Sequence, residues 1–149
     1  MGSLPKHEGR TDMKLSQIKR VKAEFGEDWR EIVNEMMSEN NDDFEVSGYR
    51  FIHEDSIDEI LKDELLSDEY VLGCFSALAI SEATDWPQAL IEAAQKGEQY
   101  EAIGQAMTED HVRKLAEIYA RADGYGHHFA HYDGEEKETE CGYYAFKVN

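Results

Sequence analysis

Histidines, an aspartate and a cysteine near the C-terminus are the side chains best suited to chemistry. His127, His128 and His131 are followed by Asp133 and Cys141, and all of these residue types bind metal ions. The alternation in "HHFAHYDG" predicts a strand, on which His127 and His131 lie about 13 Å apart. Zinc ligands must converge within about 2.1 Å of one ion. We therefore expect a half-buried or binding face of a sheet here. The alternative is a metal site on His127, His131 and Asp133.

A second group of candidate residues is acidic. The stretch "HEDSIDEILKDELLSDE", residues 53–69, carries eight carboxylates and one lysine, Lys62. In a helix this is about one charge per 3 Å of axis, close to the roughly 3.4 Å phosphate spacing along one DNA strand. The sequence predicts a partner-binding surface with these members: Glu54, Asp55, Asp58, Glu59, Asp63, Glu64, Asp68 and Glu69. The alternative is a solvated helix face that binds nothing.

The formal charge of −18 is concentrated in the middle of the chain. Residues 39–110 carry nineteen acidic residues against three bases, Arg50, Lys62 and Lys96, which gives −16. Residues 1–38 carry seven of each sign, and residues 111–149 sum to −2. An acidic surface of this kind repels phosphate backbones and anionic lipid headgroups. The sequence therefore predicts a basic protein partner, with no direct binding to nucleic acid or membrane.

No motif in the sequence specifies a reaction. There is no G-x-S-x-G, no P-loop and no cysteine in an electropositive setting beside a histidine. The carboxylate pairs Asp58-Glu59 and Asp63-Glu64 suit Mg²⁺, but adjacent residues of a helix diverge by about 100°. We predict no catalytic residues and no cofactor, and a non-enzymatic protein.

The elements that position these residues are mostly helical. Apolar residues recur at spacings of three and four in about six segments, with Asp28 and Thr108 as expected N-caps. The predicted helical segments are 12–38 (two helices or one kinked helix), 57–65, 70–80, 85–97, 100–107 and 108–123. A strand near 44–53 and a C-terminal hairpin made of "HHFAHYDG" and "GYYAFKVN" are expected to form a sheet of about three strands. The fold class is α+β, mostly helical, with a small antiparallel sheet.

The length of 149 residues predicts a single globular domain over 13–149, preceded by a flexible segment over 1–12. The longest apolar run, "VLGCFSALAI", is about half the length of a membrane span. With two cysteines and no apolar secretory signal, the sequence predicts a reducing, cytoplasmic location.

Two stretches carry a resemblance. "DEYVLGCFSALAIS" and "ADGYGHHFAHYDG" resemble segments of small acidic proteins encoded by bacteriophages and prophages. The resemblance implies binding to host defence or transcription machinery, as anti-restriction and anti-CRISPR proteins that imitate DNA do. It assigns no functional residue. The chain departs from a full-length DNA mimic in its charge-balanced N-terminal third, where Lys14, Lys19, Arg20 and Lys22 lie close together.

These features together predict an acidic interaction protein of the phage inhibitor type. Its DNA-mimicking surface would bind a basic host protein in the host cytoplasm, with Tyr125, Tyr132 and Tyr143 as aromatic anchors. One alternative is a small metal-binding protein or metal-dependent enzyme that uses the C-terminal histidines. Another is a homo-oligomeric subunit that pairs its basic N-terminal helix with the acidic helix of a second copy.

Overall fold

A computed structural model of the protein describes residues 13–38 and 41–149, so the predicted flexible segment 1–12 lies outside the described residues. The fold is α+β and mostly helical, as predicted. The chain divides into two compact units. The sheet unit comprises the described residues up to Ser56 together with Tyr125–Asn149, and the helical unit comprises Ile57–Gly124. The single globular domain over 13–149 stays a prediction.

The helices and strands alternate in groups along the chain. The helices in chain order are α1 Leu15–Phe25, α2 Trp29–Met37, α3 Ile57–Leu66, α4 Glu69–Gly73, α5 Ala77–Thr84, α6 Gln88–Lys96, α7 Tyr100–Ala106, α8 Glu109–Asp123 and the four-residue α9 Gly126–Phe129. The strands are β1 Asp43–Val46, β2 Tyr49–His53, β3 Lys137–Glu138 and β4 Tyr143–Lys147, in the antiparallel order β1-β2-β4-β3. None of the helices in the described ranges combines the length and apolar character needed to cross a bilayer.

The segment predicted as one strand near 44–53 forms two. Val46 pairs with Tyr49 across a two-residue turn made by Ser47 and Gly48. Both turn residues have positive φ, 58° and 83°, which is the geometry of a tight primed hairpin turn. The prediction of about three strands was therefore one strand short, because Ser-Gly is a weaker turn signal than Asn-Gly or Asp-Gly.

The C-terminal hairpin is confirmed, but its first strand is not "HHFAHYDG". Residues 126–129 form α9, and the Gly126 N–H donates to Oε1 of Glu136 at 3.1 Å. The strand that pairs with β4 is the short β3, and the turn between them is closed by buried Thr139, whose Oγ1 donates to the Tyr143 carbonyl at 2.9 Å.

The core of the sheet unit packs α1 and α2 against one face of the sheet. Val21, Ile32 and Met36 are buried with Phe51 and Tyr143. Asp28 occupies the N-cap position of α2 as predicted, but its carboxylate accepts a hydrogen bond from Ser47 Oγ and none from the backbone of α2.

In the helical unit, α8 packs against α3 and α5, and α4 packs against α7. The single buried helix predicted over 70–80 is wrong. It is two helices, because Ser76 Oγ accepts the Ala79 N–H at 3.1 Å and starts α5. Leu78 is exposed. The N-cap predicted at Thr108 is confirmed, since its Oγ1 accepts the His111 N–H at 3.2 Å.

Two glycines let α4 and α7 approach each other closely. A Cβ on Gly73 would overlap the backbone of Tyr100, and a Cβ on Gly104 would overlap the backbone of Glu69. In both cases the overlapping atoms belong to the backbone and not to a flexible side chain. A larger residue at either glycine therefore has to push the two helices apart.

We expect Gly104→Ala to lower the free energy of unfolding by about 1–3 kcal/mol, because the added methyl group meets backbone atoms of α4. Urea unfolding followed by circular dichroism measures the change. Gly97→Ala is the matched control, since its Cβ would meet its nearest neighbour, Ala94 O, at 3.6 Å. Equal stability of the two variants would contradict the close packing of α4 on α7.

Candidate functional site

Seven of the eight carboxylates predicted to bind a partner are exposed, and Glu64 is half-buried. Glu54 and Asp55 follow β2 in the sheet unit. The other six lie in the helical unit, four of them on α3 and two, Asp68 and Glu69, at the start of α4. The apolar face predicted for α3 is confirmed, since Leu61 and Leu65 are buried. The sequence thus placed the acidic side chains of α3 on the correct side of the helix.

Lys62 is the one basic residue of this stretch, and its side chain is only 2% exposed. Its Nζ lies 2.7 Å from an oxygen of Glu59 and 2.6 Å from oxygens of Asp63 and Glu109. Glu109 belongs to the first turn of α8, so the ammonium joins α3 to α8. Arg113, one turn further along α8, lies 3.4 Å from Glu59 and 3.5 Å from Glu109. We call these five residues the Lys62 cluster.

The contacts of the Lys62 cluster favour the charged form of its members. Hydrogen bonds to Asp63, Glu109 and Glu59 raise the pKa of Lys62 above its ordinary value. The hydrogen bond from Lys62 lowers the pKa of Glu59 below its ordinary value, and the bond from Arg113 adds to this. Three carboxylates against two cations leave a net charge of −1, so most of the charge of the cluster is balanced internally.

The three carboxylates of the cluster also form the only group of three metal-ligand side chains found in residues 13–38 and 41–149. Their oxygens lie within 4.8 Å of one another. The Lys62 ammonium is within hydrogen-bond distance of all three, and thus takes the place that a bound cation would need. The arrangement is an internal ion-pair network that holds two helices together.

Two further predicted binding residues have structural roles. The Asp68 carboxylate accepts the Val71 N–H at 3.2 Å and caps α4. The Asp55 carboxylate lies 3.6 Å from Nδ1 of buried His53, which also accepts the Asp55 N–H at 3.1 Å. The Asp68 side chain is held by its cap, Asp55 is held through its backbone N–H, and both side chains stay exposed to solvent.

An acidic cavity of about 270 Å³ lies in the sheet unit beside the C-terminal hairpin. Its lining includes Glu54, Glu138, Glu140 and Tyr144. Glu54 is the only member of the predicted surface that contributes to it, and the acidic residues of β3 and its turn were not included in that prediction. Adjacent carboxylates of this kind add to the attraction for a basic partner.

The spacing predicted for the histidines is wrong because residues 126–129 form a helix and not a strand. His127 lies on α9, and the His131 N–H donates to the Lys147 carbonyl at 2.9 Å. The Asp133 carboxylate accepts the Glu135 N–H at 3.0 Å within a turn. In the part of the chain that the structure describes, none of these three side chains belongs to a group of three metal ligands.

The three tyrosines expected as anchors differ in accessibility. Tyr132 is 69% exposed, and Tyr125 is half-buried. Tyr143 is 2% exposed, and its hydroxyl donates to the Asn41 carbonyl at 2.8 Å. It therefore belongs to the core of the sheet unit and is not accessible to a partner.

An apolar groove of about 320 Å³ in the helical unit was not predicted. Trp86, Leu90, Ile91 and Ala94 line one side, and residues of α7 such as Ile103 line the other. The sequence analysis used apolar residues of this region only to predict helices, and in the structure Leu90 is 65% exposed. One feature of the sequence could have predicted the groove. Leu90 and Ile91 are adjacent on α6 and cannot both pack against the same neighbouring helix, so one of them is expected to be exposed.

We expect Lys62→Met to lower the Tm by several degrees, because the three carboxylates that surround the ammonium would then repel one another, with only Arg113 beside Glu59 and Glu109 to offset the repulsion. Methionine keeps most of the apolar stem, so the loss reports on the charge. Differential scanning calorimetry gives the shift. Lys114→Met removes an exposed lysine from α8 and is expected to leave the Tm nearly unchanged. A Tm of Lys62→Met equal to that of the unmodified protein would contradict the role of the cluster.

The contribution of the Lys62 cluster should depend on pH. Because the pKa of Glu59 is lower in the folded state than its ordinary value of 4.5, its stabilisation is present above pH 4.5 and is lost as the pH falls through the folded pKa. Because the pKa of Lys62 is raised from 10.5, its stabilisation is complete below pH 10.5 and is lost only above that value. The difference in urea midpoint between the protein and Lys62→Met should therefore shrink below pH 4.5. A difference that grows on acidification would refute this linkage.

Comparisons with protein-family models, with curated proteins and with solved structures each returned no match. The resemblance of "DEYVLGCFSALAIS" and "ADGYGHHFAHYDG" to phage and prophage proteins stays a prediction.

Proposed function

We propose that this protein is a non-enzymatic interaction protein that binds a basic protein surface of the kind that nucleic-acid-binding proteins present. The observation that carries the proposal is the exposure of the acidic stretch over residues 54–69. Seven of its eight carboxylates are exposed, while its one basic residue, Lys62, is buried. An approaching partner therefore meets carboxylates and no cation from this stretch.

The charge of the helical unit supports the same proposal. Residues 57–124 contain fifteen acidic and five basic residues, which gives a formal charge of −10. Two of the five bases, Lys62 and Arg113, are already bound to carboxylates of the Lys62 cluster. A field of this sign attracts basic proteins over roughly a Debye length of 8 Å, speeds their association and repels phosphate groups.

The ion pairs of the Lys62 cluster argue against a proposal based on DNA mimicry alone. Lys62 binds Glu59 and Asp63 and so lowers the charge density that α3 presents below the value its sequence indicates. We therefore base the proposal on a basic protein surface in general. Imitation of DNA by a phage-type inhibitor, including anti-restriction and anti-CRISPR action, is its narrower form, and competition by DNA distinguishes the two.

Salt-dependent capture tests the proposal with two charge-matched variants. Immobilised protein should retain basic proteins from a bacterial lysate, and these should elute as the ionic strength rises. Glu54→Gln with Glu69→Gln should lower the salt concentration at which they elute, because it removes two exposed charges of the predicted surface. Mass spectrometry identifies the eluted proteins.

The control pair Glu27→Gln with Glu31→Gln removes two exposed charges from the charge-balanced N-terminal region and should leave the elution unchanged. Equal elution from both variants, or retention of proteins that are not basic, would contradict the proposal. Duplex DNA added to the loaded matrix should release the partner if it is bound through its nucleic-acid site, and retention in the presence of DNA would exclude the mimic.

A further inference from the structure

The apolar groove of the helical unit has the dimensions of a short helix-binding site. The lining residues of α7 and its N-cap are Gln99, Ala102, Ile103 and Ala106, which follow the helical spacing i, i+3, i+4 and i+7. The groove therefore runs along α7 for about 10 Å, or two helical turns. The alanine side chains are small and leave room in the groove for the side chains of a bound helix.

The lining favours apolar side chains over a small polar molecule. The groove volume of about 320 Å³ is near the lower end for small-molecule sites, about 300 Å³. Such sites usually contain several polar groups that orient the ligand, whereas the polar groups of this lining are the Gln99 amide and the Trp86 indole. Leu90, at 65% exposure, offers an apolar contact at the solvent boundary.

The charge around the groove selects the kind of helix. Two exposed acidic residues, Asp85 and Glu98, directly precede the lining residues Trp86 and Gln99 in the chain. They belong to a unit whose formal charge is −10. An occupant that places apolar residues in the groove brings its flanking positions towards these two carboxylates, which favours lysine and arginine at those positions.

We propose that the groove between α6 and α7 binds about two turns of a basic amphipathic helix of the protein partner. The inference rests on the proposed function. It adds the location at which the apolar residues of the partner bind. Charge attracts the partner, and burial of its apolar residues against Leu90, Ile91 and Ile103 supplies the short-range contact.

A second copy of this chain is a poorer occupant. Its basic helix is α1, which carries Lys19 and Arg20. The apolar side of α1 is already used inside its own unit, since Val21 is buried and Phe25 packs against the same core. That helix therefore has no free apolar face of two turns to place in the groove.

A synthetic peptide tests the proposal. It has roughly 15 residues, with leucine at i, i+3, i+4 and i+7 and lysine at the other positions, and a scrambled peptide of the same composition has no apolar face. In Trp29→Phe protein the remaining tryptophan, Trp86, lies in the groove lining and reports binding by its fluorescence. The amphipathic peptide should bind at one site and roughly tenfold more tightly than the scrambled one.

Two groove variants and one matched variant locate the site. Leu90→Ala removes an exposed leucine of the groove, and Ala102→Gln fills it from an exposed position. Each should weaken binding of the amphipathic peptide roughly tenfold. Leu78→Ala removes a leucine of similar exposure, 56%, that does not line the groove, and it should leave the affinity unchanged.

The outcomes separate this inference from the proposed function. If both peptides bind equally and Leu90→Ala has no effect, the groove is not the site, although the acidic surface still binds basic partners. If neither peptide binds even at low salt, both proposals are wrong. If the protein is a dimer that Leu90→Ala dissociates, a second copy occupies the groove and the helix inference is overturned.

Discussion

The Lys62 ammonium binds carboxylates from two helices and so links α3 to α8. Docking the apolar face of α3 on α8 brings Glu59 and Asp63 towards Glu109, which sits in the first turn of α8 where the helix dipole favours negative charge. In a unit whose formal charge is −10, this approach concentrates like charges on a solvent-exposed surface, where the carboxylates repel one another. The buried ammonium makes apolar packing compatible with an acidic surface.

This contact divides the carboxylates into two populations. Those bound to Lys62 hold the helical unit together, and exposed ones such as Glu69 contribute to the outward field. Helix α7 shows a similar division between its faces. Gly104 contacts α4, while Ala102, about 200° away around the helix, lines the groove. Because one face of α7 is fixed by backbone contact, the opposite face is positioned before any partner arrives, which lowers the entropic cost of binding.

The sequence predicted the features that depend on local pattern. The apolar periodicity of α3, the cap at Thr108 and the presence of a C-terminal hairpin all follow from neighbouring residues, and the structure confirms them. The contact of Lys62 with Glu109 was not predictable in the same way, because Glu109 is 47 residues distant. The strand predicted over "HHFAHYDG" failed because its first residues form the single helical turn of α9, and the contact of Gly126 with Glu136 that accompanies this turn is not visible in the sequence pattern.

Charge and apolar contact have different consequences for an interaction protein. An acidic field attracts every basic surface, so by itself it increases the association rate without selecting among partners. Apolar burial acts only at contact and requires a matching shape, so it mainly lowers the dissociation rate of the partner that fits. A protein that has both an acidic field and an apolar groove selects a partner with an apolar strip between basic residues. Only such a partner gains from electrostatic attraction and from apolar burial together. In the proposed function, the groove beside Leu90 and the exposed carboxylates are thus complementary parts of one binding mode, since neither alone provides both speed and selectivity.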